Sequence, residues 1–390
     1  ERKEAAWKAS ELTTYWKPRM NQADHELGGL IDRIPSYIRT LPRAPVADGM
    51  VAESAHECIK LDLNENPCGM STRVRGLLND PMTIAQVYPD PKATRLTLAL
   101  AAFHGVAAQE IVIGNGSNDV LDLICRALVA PGSKAVISDV TFSVYPNLLR
   151  AVGAQQLLVG VNDYWHDLAG LTAASRAGAR IVIVDNPHNP MGTYLKPDAI
   201  ANFVRSVPAD TFVVLDEAYI DYVDPRHQTN VSELIRCFPN LIVVRTFSKG
   251  YGLGGFRIGY GVMHRIVADF VRRVRQPYCT NSLGLMAAEI ALADQEFVAT
   301  VRKSTRRSMD ELHELLDGLH VPHSPSQCCF AFARFEDAER ISDALRNRGV
   351  IVKELTAYGT GNALRISLGN ACQNAVLHQA LLDVVTGGAA

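Results

Sequence analysis

Four short apolar runs, each leading into polar residues, constrain this chain more than anything else in it. They are "KAVISD" (134–139), "ARIVIVDN" (179–186), "TFVVLDE" (211–217) and "LIVVRTF" (241–247). Strands that are apolar at nearly every position must be covered on both faces, and a mostly parallel sheet between layers of helices does this. The stretches between them suit helices; "SVYPNLLRAVG", for example, stops at Gly153. In such α/β sheets, ligands bind beyond the carboxyl ends of the strands. Asn186, Asp216, Glu217 and Ser248 lie at those ends.

After about residue 285 the texture changes. Helical stretches at 281–293 and 295–319 lead to a strand at 328–335, a helix at 337–347, strands at 350–355 and 363–368, and a last helix at 372–385. The pattern predicts a large domain over 45–285 and a smaller α+β domain over 286–390. Residues 1–44, broken by Pro18, Pro35 and Pro42, read as an N-terminal arm. A chain of 390 residues, 47% hydrophobic, can fill both cores.

The formal net charge of −2 gives no basic excess for a nucleic-acid partner. The apolar runs are far too short to cross a bilayer, and "ERKEAAWKAS" at the start lacks the apolar core of a secretory signal. None of the eight cysteines forms a C-x-x-C pair, and most have apolar neighbours, so they read as reduced, buried thiols of a cytoplasmic protein. His320 and His323 in "HVPH" read as surface groups, and no metal site is expected.

The stretch 245–261, "RTFSKGYGLGGFRIGYG", admits two kinds of chemistry. Gly250, Gly252 and Gly255 match G-x-G-x-x-G, but a dinucleotide fingerprint requires a helix to follow. Here β-like "FRIGYGV" follows, and Asp269 falls inside a helical pattern instead of at a strand end. The other reading starts from Lys249, just past a strand. A lysine there can form a Schiff base with an aldehyde cofactor. Pyridoxal 5'-phosphate would further need an acid at its ring nitrogen, donors at its ring oxygen, an aromatic face and a phosphate cradle. Asp216 can supply the acid, and Tyr219 and Asn189 the donors. Phe142 can supply the face. Gly116, Ser117 and Asn118 in "GNGSND", with Ser248 and Arg257, can supply the cradle. Taken singly, each has an ordinary reading: Asp216 and Ser117 as helix caps, Phe142 as core, Asn189 as a turn residue, Arg257 as a surface ion pair, Lys249 as a solvated cation. Their joint order on successive strand ends favours the cofactor.

The motifs resemble those of the class I/II aminotransferases, the fold-type I pyridoxal-phosphate enzymes, and most closely the histidinol-phosphate aminotransferase branch. The matching stretches are "LDLNENPCG" (61–69), "YPDP" (88–91), "GNGSND", "TFSVY", "NPHNPMG" (186–192), "DEAYIDY" (216–222), the 245–261 segment, "QPYCTNSLG" (276–284) and "LRISLG" (364–369). The resemblance implies a large domain with a mostly parallel seven-stranded sheet, and a small C-terminal domain packing with part of the arm. It gives Lys249 the Schiff base and the Cα proton, Asp216 the ring nitrogen, and Tyr219 and Asn189 the ring oxygen. Gly116, Ser117, Asn118, Ser248 and Arg257 would hold the phosphate, with Phe142 on the ring. Arg365 would clamp a substrate anion, and Asn66 would lie near the substrate. It also implies a homodimer with shared active sites. Cys68 stands where the branch often carries Tyr, Ser117-Asn118-Asp119 varies the phosphate motif, and the arm contains "HELGGLIDR" (25–33). These departures point to a specialised relative.

The expected function is amino-group transfer between a small amine, an amino acid or amino-alcohol phosphate, and a keto-acid co-substrate. Decarboxylation, elimination and cyclisation on the same scaffold are the alternatives, since pocket geometry selects the bond that breaks. A nicotinamide-dependent oxidoreductase, or a non-catalytic binding protein on this fold, is a more distant reading.

Overall fold

The computed structural model describes residues 33–41, 58–79 and 86–387. Most of the expected arm therefore lies outside the described residues; within it, Ser36–Arg39 form one turn of helix.

The strands are β1 (Ile59–Leu61), β2 (Ile111–Gly114), β3 (Lys134–Ser138), β4 (Gln155–Val159), β5 (Ala179–Asp185), β6 (Phe212–Asp216), β7 (Leu241–Thr246), β8 (Gly259–Met263), β9 (Phe330–Arg334), β10 (Val350–Glu354) and β11 (Ala363–Ser367). Seven of them form one sheet in the order β2-β8-β7-β6-β5-β3-β4. Only β8 runs against its neighbours β2 and β7; the other pairs are parallel. This is the fold class expected from the sequence.

The apolar runs have the alternation that a doubly covered sheet needs. Val182, Val184, Val213, Leu215 and Val243 face one side, where Leu100, Ile200, Phe203 and Ala287 cover them. Ile181, Ile183, Val214, Ile242 and Val244 face the other, under Leu121, Ile124, Leu149 and Val271. Each fully buried side chain of this size contributes about 2 kcal/mol. A one-residue slip would swap the two faces of a strand, so the register is held, and it places Asp185 beside Asp216.

A second sheet has the order β1-β10-β11-β9, with β1 parallel to β10 and the other pairs antiparallel. Helices Gln295–Gly318, Ala338–Asn347 and Ala371–Thr386 supply Leu312, Leu345 and Leu377 to its core. By sequence position Ile59–Leu61 falls in the expected large domain, yet it pairs here with the C-terminal strands. Leu61 joins the core of the small sheet, and a three-residue strand is too short to announce its partner in its pattern. The consequence is functional, because β1 delivers the loop 62–70 to the ends of the large sheet.

All eight cysteines are free, but only Cys125, Cys328 and Cys329 are buried. The expectation that most are buried is corrected: Cys237 and Cys372 lie in helices with apolar neighbours and still face outward. No helix among the described residues is long and apolar enough to cross a membrane.

Candidate active site

Asp216 closes β6 and is almost fully buried, at 3% exposure. Its Oδ2 accepts the Tyr145 phenol proton at 2.8 Å, and its Oδ1 accepts the Ala218 N–H at 3.0 Å. Burial pushes the carboxyl up to about 7; Tyr145 and the Ala218 N–H pull it down, while Asp185 and Glu217 add to the rise. Both hydrogen-bond donors are neutral, so the charged form lacks a compensating cation. Phe142 stands edge-on to Tyr145, with ring centroids 5.6 Å apart.

From Asp216 the contacts run outward. Asp185 accepts the Asn189 N–H at 2.7 Å, and the Asn189 amide oxygen accepts from Arg365 at 2.7 Å. Arg365, on β11, is buried; it also donates to the Asp62 carbonyl at 2.6 Å and lies over the Phe330 ring. Its Nε is buried without a partner. Lys249 follows β7, with Nζ 5.7 Å from the centre of the buried Tyr219 ring. That ammonium donates to the carbonyls of Leu63 at 2.9 Å and Asn64 at 3.0 Å. Burial, with the nearby charges of Arg365 and Arg257, holds Lys249 below the ordinary lysine value. Burial likewise raises the Tyr219 phenol well above the usual range, so it stays protonated.

The other predicted residues gather at the start of helix Ser117–Leu128. Its N-cap, Gly116, has φ +86° and makes no side-chain cap; Asn281 and Asn370, by contrast, cap their helices with side-chain oxygens. The N-terminal amides of Ser117 and Asn118 therefore remain open to an anion. A Cβ at Gly116 would collide with the Arg257 guanidinium. Arg257 in turn donates to the Ser248 hydroxyl at 3.2 Å and the Gly254 carbonyl at 2.9 Å.

The glycine pattern serves a turn. Gly252 has φ +70° and lies against the Gly69 carbonyl, where a Cβ would not fit, whereas Gly255 faces open space. The chain then enters β8, not a helix, and Asp269 pairs with Arg273 on its own helix at 2.6 Å. Asn66 is placed differently from the substrate contact expected of it. Its amide donates to the Lys249 and Gly250 carbonyls, both at 3.0 Å, and so braces the lysine turn.

Sequence reasoning missed several contributors. Tyr145 lies in the quoted "TFSVY" and Asn64 in "LDLNENPCG", so each was within a motif but unassigned. Glu217, placed at a strand end from the sequence but given no partner, accepts from Arg245 at 2.7–2.8 Å in a buried pair. His166, Asp185 and His188 form a buried cluster behind Asn189. The His166 and His188 rings lie tilted with centroids 3.8 Å apart, and His166 Nε2 lies 3.2 Å from an Asp185 carboxyl oxygen.

Residues 56–382 match the family model for aminotransferase class I and II. The chain belongs to the class I and II aminotransferases. Its cofactor is pyridoxal 5'-phosphate. This aminotransferase is 41% identical over 359 residues to histidinol-phosphate aminotransferase 1 of Thiobacillus denitrificans, covering 90% of this chain and 93% of that protein. The histidinol-phosphate aminotransferase of Sinorhizobium meliloti, solved in complex with pyridoxal-5'-phosphate, superposes with a TM-score of 0.84 at 27% identity, over 92% of this chain and 98% of that one. The L-threonine-O-3-phosphate decarboxylase of Porphyromonas gingivalis shares the fold, with a TM-score of 0.74 at 23% identity over 84% and 99% of the two chains.

Proposed function

We propose that this aminotransferase exchanges the amino group of a phosphorylated amino compound, histidinol phosphate foremost, with a keto acid. The observation that carries the reading is Lys249: a half-buried lysine of lowered proton affinity, its Nζ held by the Leu63 and Asn64 carbonyls beside the Tyr219 ring. The names of the relatives support the substrate class.

The residues present fit the cofactor. Asp216 is a buried carboxyl whose donors are neutral and whose charged form lacks a compensating cation, suited to a cationic ring nitrogen. The Gly116–Asn118 turn, Ser248 and Arg257 would form a cradle for a phosphate, and the bare Gly116 lets the Arg257 guanidinium approach where a Cβ would strike it. When bound, the cofactor supplies an aldehyde that condenses with amines and a ring that accepts electron density from the substrate Cα. Asp216 keeps the ring nitrogen protonated. Tyr219 and Asn189 would donate to the ring oxygen, and Phe142 would lie against the ring. Lys249 takes the substrate's Cα proton and later returns it, which requires a neutral amine; its lowered pKa favours that form. Arg365, buried beside Asn189, would offer its guanidinium to a substrate carboxylate or phosphate.

The active form is a cytoplasmic homodimer with sites shared between copies. Val87, Tyr88, Leu98, Phe103 and Tyr278 are exposed apolar side chains that a second copy would cover.

The test is direct. With pyridoxal phosphate the protein turns yellow, borohydride bleaches the band, and Lys249→Ala abolishes the bleaching. A single-turnover assay with histidinol phosphate and other amines then scores keto product against carbon dioxide. Absence of any amine-dependent spectral change overturns the reading, and carbon dioxide release would assign a decarboxylase.

A further inference from the structure

Asn64 is 1% exposed and sits in the left-handed backbone region at φ +55°, a conformation that asparagine tolerates better than most residues. It belongs to the loop that β1 carries from the small sheet to the ends of the large one. Its hydrogen bonds form a circuit. The Asn64 backbone N–H donates to Ser367 Oγ at 3.0 Å. Ser367 in turn donates its only hydroxyl proton to Asn64 Oδ1 at 2.7 Å. The other end of the amide, Nδ2, lies 2.9 Å from the Tyr219 hydroxyl. An amide NH2 can only donate, so Tyr219 must accept there. The same residue turns its backbone carbonyl to Lys249 Nζ at 3.0 Å.

We propose that Asn64 is a positioning residue that holds Tyr219 as an acceptor on one side, so that the phenol's single proton is reserved for the ring oxygen of the cofactor. Ser367 orients Asn64, and the small sheet thereby sets the polarity of a hydrogen bond in the catalytic centre. The inference rests on the role of Tyr219 given above. Donation to the ring oxygen withdraws electron density from it and lowers the proton affinity of the imine nitrogen beside it. Loss of the donation raises the pH at which the visible band of the loaded protein titrates.

The experiment is a spectrophotometric pH titration of the pyridoxal-phosphate-loaded protein, its Tyr219→Phe, Asn64→Gly and Ser367→Ala variants, and the Asn64→Gly/Tyr219→Phe double variant. Glycine is chosen because it keeps the left-handed backbone. Tyr219→Phe should raise the proton affinity about tenfold, the order expected for losing one hydrogen bond to a charged group. Asn64→Gly should move the midpoint the same way, and the double variant should match Tyr219→Phe alone. Ser367→Ala should give a smaller shift in the same direction, and it carries the test if Asn64→Gly does not fold. An unmoved midpoint in the Asn64 and Ser367 variants beside a moved one in Tyr219→Phe overturns the inference alone. So does full additivity in the double variant, which marks a merely structural role. An unmoved midpoint in Tyr219→Phe overturns both this inference and the reading of Tyr219.

Discussion

Asp216→Asn should flatten the pH dependence of stability in the cofactor-free protein. Burial pushes the Asp216 carboxyl up to about 7, against 3.8 for the unfolded chain. Between those values the folded state holds a proton that the unfolded state has lost. Stability therefore falls as pH rises through this window and levels off above about 7. With 1.36 kcal/mol per unit, the linkage relation gives a loss of about 2–3 kcal/mol between pH 5 and pH 8 from this one group. Asp221, pushed up to about 6 by burial, adds a slope of the same sign, but it is common to both proteins and cancels in their difference. The amide keeps the size of Asp216, still accepts from Tyr145 and carries no charge. The assay is urea unfolding of wild type and variant at pH 5, 6, 7 and 8, each with and without pyridoxal phosphate. Without it, only wild type should show the extra loss. With it, the cationic ring nitrogen should pair with Asp216 and remove that loss, so the cofactor should stabilise wild type more at pH 8 than at pH 5. Equal slopes in the two cofactor-free proteins, or a wild-type excess of opposite sign, would refute the argument.

Other outcomes follow from the same contacts. Lys249→Ala should lower turnover by at least about 10³-fold, since it removes both the covalent anchor and the base; single-turnover kinetics would show it. Gly116→Ala puts a methyl group into the Arg257 guanidinium at a left-handed backbone position, and should cost about 1–2 kcal/mol of cofactor affinity, read by equilibrium titration. Arg365→Lys replaces a planar fork that spans Asn189 and Asp62. It should raise KM about tenfold or more with a smaller effect on kcat. Arg245→Met leaves Glu217 buried without its cation; it should destabilise the fold by about 3–5 kcal/mol, measured by urea denaturation.

The large sheet was legible because β3, β5, β6 and β7 are nearly continuous apolar runs, and continuity on both faces has few structural solutions. Its outer members were harder. β4, "QQLLV", is half exposed and begins with two glutamines, and β1 is three residues long. Neither run carries enough apolar character to reveal its partner. The positions of Asp216, Tyr219, Asn189, Ser117 and Lys249 were legible for a related reason. Each closes a strand, lies in the short turn after one, or starts a helix, so its place beside the sheet follows from its place in the chain.

The parts that stayed hidden share a different property: their partners are far apart in sequence. Asn64 meets Ser367 across 303 residues and Tyr219 across 155, and no local pattern records either meeting. Asn66 illustrates the consequence. Its motif placed it near the site, but whether its amide faces substrate or the Lys249 turn depends on how the 62–70 loop docks on the 247–258 segment. The docking is set by Gly252, whose missing side chain admits the Gly69 carbonyl. The glycine pattern that suggested a nucleotide loop is thus better explained as the seat of the small sheet's loop. Placing a bulky residue there should displace Asn64 and Asn66 together, and with them the two carbonyls that hold Lys249.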